Sequence, residues 1–230
     1  MIPNDRQIQI LAYLKEVGRA SVKKLASKFY VSEMTIRRDL RELENGSCLK
    51  RYNGGAVYSS DYLSIPIESR LLLSSDEKRS LSEKTKKYLH DFETVFIDSS
   101  STCEYIIPLL ADCEGITVVT NSVQCLAEAA KHDIPCLIAG GRYFPRDKCT
   151  IGSDAEEYLR KINIDIGFFS TSALSDDGII SDSDEAQNSV RRAVLPNCER
   201  KVFLFTSAKL HKKATFTLCT ADDADEVIIL

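Results

Sequence analysis

A run of hydroxyl side chains interrupts the sequence near its middle, directly after a short apolar stretch. The run consists of Asp98, Ser99, Ser100, Ser101 and Thr102, and it leads into a predicted helix near residue 103. Hydroxyls and free backbone amides at the start of a helix bind anions, and a phosphate group fits such a loop. A loop of this composition can also serve only to cap the helix, and the local sequence leaves both interpretations open.

Two more polar segments follow later apolar stretches. They are Thr120-Asn121-Ser122, which opens a predicted helix, and Gly140-Gly141-Arg142. The glycines permit a close approach of the backbone to a ligand, and the arginine adds positive charge. Ligands of parallel α/β sheets bind beyond the carboxyl ends of the strands, so we expect the three polar segments to converge at one edge.

Apolar stretches that alternate with amphipathic helices must position these segments. We predict strands at residues 95–98, 117–120, 136–139, 165–170, 202–205 and 226–230, and helices near 103–111, 123–132, 153–161 and 184–198. Helices are also expected at residues 67–73 and, capped by Asp76, at 76–90. Alternation of this kind is typical of a largely parallel α/β sheet with helices on both faces.

Carboxylates in the second half of the chain suggest an alternative function. Any one of six acids could act as the general base of an enolisation, so an isomerase or transferase is a candidate function. These six acids are Asp165, Asp176, Asp177, Asp182, Asp184 and Glu185. We interpret most of them as solvated loop acids and assign no catalytic residue. The eight cysteines form no CxxC pair and no cluster with histidine, so we expect reduced thiols and neither a metal site nor a cofactor.

Charge is distributed unevenly along the 230 residues. The formal net charge is −4, yet residues 1–57 hold eleven basic against six acidic side chains, which gives +5 there and leaves −9 for the remainder. A basic module joined to an acidic body is typical of a protein that binds a polyanion with one part only. No apolar stretch approaches the roughly 20 residues that span a bilayer, and the N-terminus does not resemble a signal peptide. We therefore expect a cytoplasmic protein of two domains.

Three short helices are predicted within the basic part. The first spans residues 5–17 with Asp5 as its cap, the second follows the cap Ser21, and the third spans 33–44 behind the cap Ser32. Helix, three-residue turn and helix at this spacing place a recognition helix in a DNA major groove, although three helices could also form a structural bundle. The buried stripe of the third helix is expected to be Met34, Ile36, Leu40 and Leu43.

A basic hairpin follows the third helix. Residues 48–52 are predicted to form a strand, 53–55 a tight turn and 56–58 the returning strand. A hairpin in this position is a wing, whose basic side chains would lie beside the phosphate backbone of DNA. The candidate DNA-binding residues of helix and wing are Ser32, Glu33, Thr35, Arg37, Arg38, Arg41, Lys50 and Arg51.

The sequence of this module resembles a known family. Its motifs are Arg6-x3-Ile10-x3-Leu14, then Ser32-x2-Thr35-Ile36-Arg37-Arg38-Asp39-Leu40, and in the wing Arg51-x2-Gly54-Gly55-Ala56. This combination resembles the helix-turn-helix of the DeoR family of bacterial sugar-catabolism regulators. The resemblance implies that Thr35, Arg37 and Arg38 contact DNA and that the wing holds its backbone. We assign Asp39 to a structural pair with a neighbouring arginine.

The remainder of the chain resembles the sensor domain of the same family, which is similar in fold to ribose 5-phosphate isomerase. The matching segments include residues 98–102, 120–122, Gly140-Gly141, Glu185-Ala186 and Ser207-Ala208-Lys209. The resemblance implies a phosphorylated sugar as effector. Residues 99–102 would lie at its phosphate, and its hydroxyls would be surrounded by Asp98, Asn121, Glu185 and Lys209.

Together the motifs predict boundaries and partners. We expect a winged helix-turn-helix domain at residues 1–58, a linker and connecting helix at 59–75, and an effector-sensing α/β domain at 76–230. The partners would be double-stranded operator DNA and a phosphorylated sugar, with no membrane, and the chain would form a homodimer or homotetramer. By family analogy it would repress a sugar-catabolism operon until the sugar releases it. The alternatives are a sugar-phosphate isomerase-like enzyme and, since Ser100 stands where the family usually has glycine, a DNA-binding protein whose sensor domain has lost its ligand.

Overall fold

The computed structural model describes residues 4–45, 49–58 and 67–230. Contacts within the chain divide it into two compact units, Met1–Ser74 and Ser75–Leu230. Residues 59–66, where we expected the linker to begin, and Cys48, where we expected the wing to begin, lie outside the described residues. Each unit has its own hydrophobic core.

The described part of the first unit combines helices with a small antiparallel sheet. Its elements are α1 (Asp5–Val17), β1 (Arg19–Ser21), α2 (Val22–Lys28), α3 (Glu33–Asn45), β2 (Leu49–Tyr52), β3 (Gly55–Tyr58) and α4 (Ile67–Leu72). The sheet order is β1-β3-β2, and both pairs are antiparallel. The three predicted helices and the hairpin are confirmed. β1 was not predicted, because three residues are too few for a periodic pattern.

Side chains define where the first two helices begin. Asn4 caps α1 by accepting the amide of Gln7 at 3.0 Å, and the Asn4 amide donates in return to the Gln7 side chain. Asp5, the predicted cap, is therefore the first helical residue, where its charge suits the helix dipole. Ser21 caps α2 as expected and accepts the amide of Lys24 at 3.2 Å.

The core of the first unit contains one face of each of the first three helices and part of the sheet. Its buried residues include Ile10, Leu14, Leu25, Ile36, Leu40, Leu43, Leu49 and Ala56. The prediction that Met34 belongs to this core is wrong, since Met34 is 80 % exposed. Met34 lies two residues before Ile36, which places it about 200° away around the helix and on the opposite side.

The second unit has a parallel α/β architecture. Its elements are α5 (Ser75–Thr85), β4 (Thr94–Ile97), α6 (Ile107–Leu110), β5 (Thr117–Thr120), α7 (Val123–Lys131), β6 (Cys136–Ile138), β7 (Arg142–Phe144), β8 (Cys149–Ile151), α8 (Ser153–Leu159), β9 (Ile164–Phe169), β10 (Ala173–Leu174), β11 (Ile179–Asp182), α9 (Glu185–Val194), β12 (Cys198–Phe205), β13 (Phe216–Thr220) and β14 (Glu226–Ile229). Six strands form a parallel sheet in the order β14-β12-β9-β4-β5-β6. The predicted fold class is confirmed.

Alternate residues of the strands pack on opposite faces of this sheet. Val95 and Ile97 join one core cluster with residues of α5, α6 and α7, whereas Phe96 joins a second cluster with residues of α8 and α9. The second face contains a row of aromatic rings, in which the centroids of Phe96 and Phe169 lie 5.4 Å apart and those of Phe169 and Phe203 lie 5.2 Å apart. Helices therefore cover both faces, as predicted.

The structure differs from the prediction mainly around the sheet. β7 and β8 form a hairpin, and β10, β11 and β13 form a separate antiparallel sheet. Both were missed because strands of two to five residues carry little periodicity. Helix α5 begins at Ser75, so Asp76 lies in its first turn instead of capping it. The helix predicted near 103–111 is a 3₁₀ helix, Cys103–Ile106, followed by the short α6.

Candidate nucleic-acid interface and anion site

Two hydroxyl side chains fix the start of α3. Ser32 Oγ accepts the backbone amide of Thr35 at 3.1 Å and lies 2.9 Å from the Thr35 hydroxyl. Ser32 thus caps the helix, as the sequence indicated. Its side chain is exposed, so these polar groups are held at the end of the helix that meets DNA in helix-turn-helix proteins.

The exposed face of α3 is basic. Arg37, Arg38 and Arg41 are exposed, and they share this face with Met34, because residues three, four and seven positions apart lie on one side of a helix. Arg37 Nη2 lies 3.2 Å from Glu33 Oε2, and more than half of each side chain is in solvent. An exposed pair of this kind contributes about 0.3–0.5 kcal/mol. Arg37 can therefore exchange Glu33 for a phosphate or a base edge with little loss.

Arg51 ties the wing to the end of α3. Its backbone amide and its Nε donate to the two carboxylate oxygens of Glu44 at 2.9 and 2.6 Å. These bonds, first from the amide and then from the guanidinium, hold the pKa of Glu44 below its usual range. Lys50, beside it on β2, is exposed. Of the two basic wing residues, Arg51 thus has a structural bond that the sequence did not indicate.

Asp39 is a buried acid on this basic module. Its Oδ2 accepts Arg6 Nε at 2.7 Å, its Oδ1 accepts Arg6 Nη2 at 3.2 Å, and its side chain is 1 % exposed. The hydrogen bonds to Asp39 raise the pKa of Arg6. The arginine partner that we expected for Asp39 therefore comes from α1, and the pair joins α1 to α3.

In the second unit, polar residues follow four adjacent strands of the parallel sheet. β4, β5 and β6 are followed by residues 98–102, 120–122 and 140–142, and β9 is followed by Ser170 and Thr171. Because the strands are parallel, all of these segments lie at the same edge. Glu185, which the family resemblance also placed here, instead pairs with Arg192 in α9, and half of its side chain is exposed.

Two buried lysines donate to the hydroxyl loop formed by residues 99–102. Lys78 Nζ lies 3.1 Å from Ser101 Oγ, and Lys209 Nζ lies 3.4 Å from Thr102 Oγ1 and 2.7 Å from Ser170 Oγ. Lys78 is 1 % exposed and Lys209 is 5 % exposed. Ammonium groups removed from water require polar or anionic partners. The loop therefore combines positive charge with hydroxyls and can bind an anion.

Lys78 was missing from the site residues that we predicted. Helical spacing places Lys78 on the buried face of α5. The buried residues of that face are Lys78, Leu81, Ser82 and Thr85. A lysine on the buried face of an amphipathic helix needs a partner inside the protein. This periodicity could have identified Lys78 from the sequence alone.

A buried guanidinium connects several strand ends. Arg191, in α9, donates from Nε to Asp98 Oδ1 at 3.0 Å and from Nη1 to Asp182 Oδ2 at 2.9 Å. Its Nη2 donates to the carbonyl oxygen of Ser170 at 3.3 Å, and its side chain is 2 % exposed. Burial acts to raise the pKa of Asp182, but the charge of Arg191 and further hydrogen bonds outweigh it and leave this pKa lowered. Arg191 could not be distinguished from its neighbour Arg192 at the level of sequence.

Arg191 and the amide of Ser170 use most of the hydrogen-bonding capacity of the Asp98 carboxylate. Its Oδ1 accepts Arg191 Nε, and its Oδ2 accepts Arg191 Nη2 and the amide of Ser170, both at 3.3 Å. A carboxylate has about four acceptor positions, so little capacity is left for a ligand. Asp98 mainly fixes the start of the hydroxyl loop.

Asn121 has unused hydrogen-bonding capacity. Its Nδ2 donates to the carbonyl oxygen of Thr150 at 2.9 Å, which sets the orientation of the amide, and its buried Oδ1 has no partner among the described residues. Its neighbours are used by the protein itself: Thr120 Oγ1 donates to the carbonyl oxygen of Ile97 at 2.6 Å, and Ser122 caps α7. A buried acceptor without a donor is unfavourable by about 1–3 kcal/mol. The oxygen is therefore a position for an incoming hydroxyl group.

The segment after β6 is the exposed part of the edge. Gly140, Gly141 and Arg142 are all exposed. Gly141 has a φ of 134°, and a Cβ there would lie 2.9 Å from the carbonyl oxygen of Ile151. Only glycine permits this backbone conformation beside β8. Arg142 begins β7 and adds positive charge.

Comparison with known protein families assigns both units. Residues 6–61 match the model of the DeoR-like helix-turn-helix domain, and residues 73–229 match the model of the DeoR C-terminal sensor domain.

Named relatives are similar over nearly the whole chain. The glycerol-3-phosphate regulon repressor of Escherichia coli strain K12 is 26 % identical over 228 residues, which cover 99 % of this chain and 90 % of that protein. The L-fucose operon activator of Haemophilus influenzae is 32 % identical over 217 residues, which cover 94 % of this chain and 87 % of that protein. Among solved structures, D-ribose-5-phosphate isomerase in complex with phospho-erythronic acid is similar over a smaller part. The match covers 59 % of this chain and 54 % of the isomerase chain, with 17 % sequence identity and a TM-score of 0.45. From its two family matches and these relatives, the chain belongs to the DeoR family of transcriptional regulators.

Proposed function

We propose that this regulator binds double-stranded operator DNA through α3 and the wing. Support comes from the net charge of +5 on residues 1–57 and from the exposed Arg37, Arg38 and Arg41. Guanidinium groups pair with guanine edges and with phosphates. Lys50 would add affinity for the DNA backbone without sequence information. The polar residues at the start of α3, Ser32, Glu33 and Thr35, would meet the DNA at the end of the helix.

A phosphorylated sugar is the proposed effector of the second unit. The observation that carries this proposal is the pair of buried lysines, Lys78 and Lys209, that donate to the hydroxyl loop. A phosphate at the loop would accept from both ammonium groups and from backbone amides. The negative charge of the phosphate would be attracted to both ammonium groups, and a neutral sugar would lack this attraction.

The remainder of the sugar would lie along the neighbouring strand ends. Asn121 Oδ1 is the acceptor that a sugar hydroxyl would satisfy. Gly140 and Gly141 leave the backbone accessible, and Arg142 adds a charge for a second polar group. Thr120 and Ser122 shape the site through their bonds to the backbone.

Release of the operator on effector binding is the proposed mode of action. One relative is named a repressor and another an activator, so repression rests here on family analogy. We further propose a homodimer or homotetramer, because two DNA-binding heads on a repeated site multiply affinity. The proposed location is the cytoplasm. No helix in the described part of the chain is long and apolar enough to cross a membrane.

Catalysis is not part of the proposed function. The carboxylates that could serve as a base have structural bonds: Asp165 accepts the amide of Thr94 at 2.7 Å, and Asp184 caps α9. A general base works best with a pKa near the operating pH, whereas the pKa of Asp182 is lowered. An isomerase would also have no use for the DNA-binding unit.

Fluorescence anisotropy tests both halves of the proposal in one titration. The full chain is mixed at fixed salt with labelled duplexes from upstream of its own and neighbouring genes, and then with a panel of sugar phosphates and the matching free sugars. We expect specific binding that one phosphorylated sugar weakens and its free sugar does not. Binding that ignores every compound would favour a sensor domain that has lost its ligand. Absence of specific binding would overturn the DNA-binding assignment.

The variant Lys209→Met tests the phosphate position. It removes the ammonium group beside Thr102 but keeps most of the side-chain volume, so the effector concentration needed for release should rise about 10- to 100-fold. Operator affinity without effector should not change. The matched control is Lys213→Met, which alters an exposed lysine of the same segment. An unchanged response in Lys209→Met would refute the position.

A further inference from the structure

Met34 is a large apolar side chain on the basic face of α3. It is the second residue of the helix and is 80 % exposed. Arg37 and Arg38 follow three and four positions later and Arg41 seven positions later, so the four side chains form one surface. Met34 therefore shares its face of the helix with three arginines and lies outside the core of the unit.

The charges around Met34 restrict what can cover it. Three arginines on one surface complement a polyanion and oppose an extended apolar partner. The first residues of the second helix in a helix-turn-helix reach the base edges in the major groove. There the bases display hydrogen-bonding groups and a single apolar group, the C5-methyl of thymine. The flexible, polarisable side chain of methionine can adapt to such a small target.

We propose that Met34 contacts the C5-methyl group of a thymine and is a specificity-determining residue of this regulator. The inference rests on the proposed DNA binding, because it requires α3 to lie in the major groove. The arginines provide affinity and guanine recognition, and Met34 distinguishes thymine from the other bases through apolar contact.

Removal of single methyl groups from the DNA tests the proposal. The full chain first selects duplexes from a random-sequence pool, and its affinity for the selected duplex is measured by anisotropy at fixed salt. Each thymine is then replaced in turn by uracil, which removes only the methyl group. We expect one replacement to weaken binding about fourfold, which corresponds to about 0.8 kcal/mol for a buried methyl group.

The variant Met34→Ala connects this effect to the side chain. It should bind the selected duplex at least fourfold more weakly, and the sensitive uracil replacement should then have no further effect, because both changes remove the same contact. Met34→Leu, which retains an apolar side chain, should keep the sensitivity to uracil. Both variants should bind random-sequence DNA as the original chain does, because they change no charge.

The possible failures separate the two proposals. If no uracil replacement weakens binding, or if the same replacement still weakens Met34→Ala by the full factor, the role of Met34 is wrong while operator binding stands. If the chain selects no sequence over random DNA, the proposed function fails and the role of Met34 with it.

Discussion

At the scale of single residues, adjacent arginines of α9 have different environments. The side chain of Arg191 is 2 % exposed and is bonded to Asp98 and Asp182, whereas that of Arg192 is 40 % exposed and pairs with Glu185. Solvent screens the exposed pair. A buried ion pair, in contrast, is strongly destabilising when one partner is lost. The stability of the second unit should therefore depend on one arginine and not on its neighbour.

Replacement of Arg191 by methionine should destabilise the second unit by about 3–5 kcal/mol, because carboxylates would remain buried without their cation. The matched variant Arg192→Met removes an exposed pair and should change the free energy of unfolding by no more than about 0.5 kcal/mol. Urea unfolding followed by circular dichroism measures both. Equal effects of the two changes would contradict this view of the network.

Glu104 gives the second unit a specific pH dependence. Burial, and secondly the charge of Glu128, raise the pKa of Glu104 to about 7 against the opposing charges of Lys78, Lys131 and Lys148. The folded chain thus holds this proton more tightly than the unfolded chain does. The contribution to stability is complete below about pH 4.5 and is lost as the pH rises to about 7.

The variant Glu104→Gln should remove this dependence, because the amide is uncharged at every pH. At about pH 8 the variant should be more stable than the original chain by about 3 kcal/mol, and at about pH 4 the two should be nearly equal. Urea midpoints measured across this range provide the check. A stability difference that stays constant with pH would show that Glu104 titrates normally.

At the scale of elements, helices and strands could be predicted where the hydrophobic pattern extends over enough residues. The bounds of α1 and the positions of the six parallel strands followed from helical periodicity and from buried apolar runs. The two residues of β10 and the hairpin of β7 and β8 carry no such pattern, and their pairing depends on contacts distant in sequence.

The contacts of the candidate site were less predictable than its location. The strand ends followed directly from the strands, so residues 98–102 and 120–122 could be placed at one edge. Lys78 could be selected only through the helical period of α5, and Arg191 could not be selected at all, because charged residues are by default assigned to solvent. Their partners, Ser101 and Asp98, lie 23 and 93 positions away in sequence. Apolar character alone does not imply burial, and the helical period counted from Ile36 places Met34 on the opposite side of α3.

The connection between β6 and β7 should distinguish two adjacent glycines. Gly141 has a φ of 134°, which residues with a Cβ rarely adopt, and a Cβ there would lie 2.9 Å from the carbonyl oxygen of Ile151, whereas a Cβ at Gly140 meets nothing within 4 Å. Gly141→Ala should therefore lower the free energy of unfolding by about 1–3 kcal/mol, and Gly140→Ala should leave it nearly unchanged. Urea unfolding of both variants is the measurement. A loss in Gly140→Ala as large as that in Gly141→Ala would show that the backbone conformation is not the reason.

At the scale of the whole molecule, opposite charges are carried by different parts of the chain. Residues 1–57 have a net charge of +5 and the remainder −9. A polyanion therefore attracts only the basic part and is repelled by the acidic remainder. Affinity for DNA should accordingly depend on salt through the few basic residues that meet phosphates.

The variant Lys50→Ala should reduce this salt dependence. If Lys50 neutralises one phosphate, the slope of log affinity against log salt should fall by about 0.9 for each protomer bound, equally on selected and random DNA. Anisotropy titrations at several salt concentrations measure the slope, and a change near twice this value would indicate two protomers on the DNA. Lys213→Ala, in the acidic part, should leave the slope unchanged. If the slope is the same in Lys50→Ala as in the original chain, Lys50 does not contact a DNA phosphate.

The acids beside two of the arginines that we propose to meet DNA should affect how the protein searches a genome. Glu33 and Glu44 already pair with Arg37 and Arg51 before any DNA arrives. When a phosphate of non-operator DNA pairs with one of these arginines, it replaces a carboxylate that is also negatively charged. The net gain in binding free energy is therefore small. The operator also offers base edges, which a carboxylate does not replace. Because wrong sites vastly outnumber the right one, we expect brief residence on each wrong site, and the time saved there shortens the search.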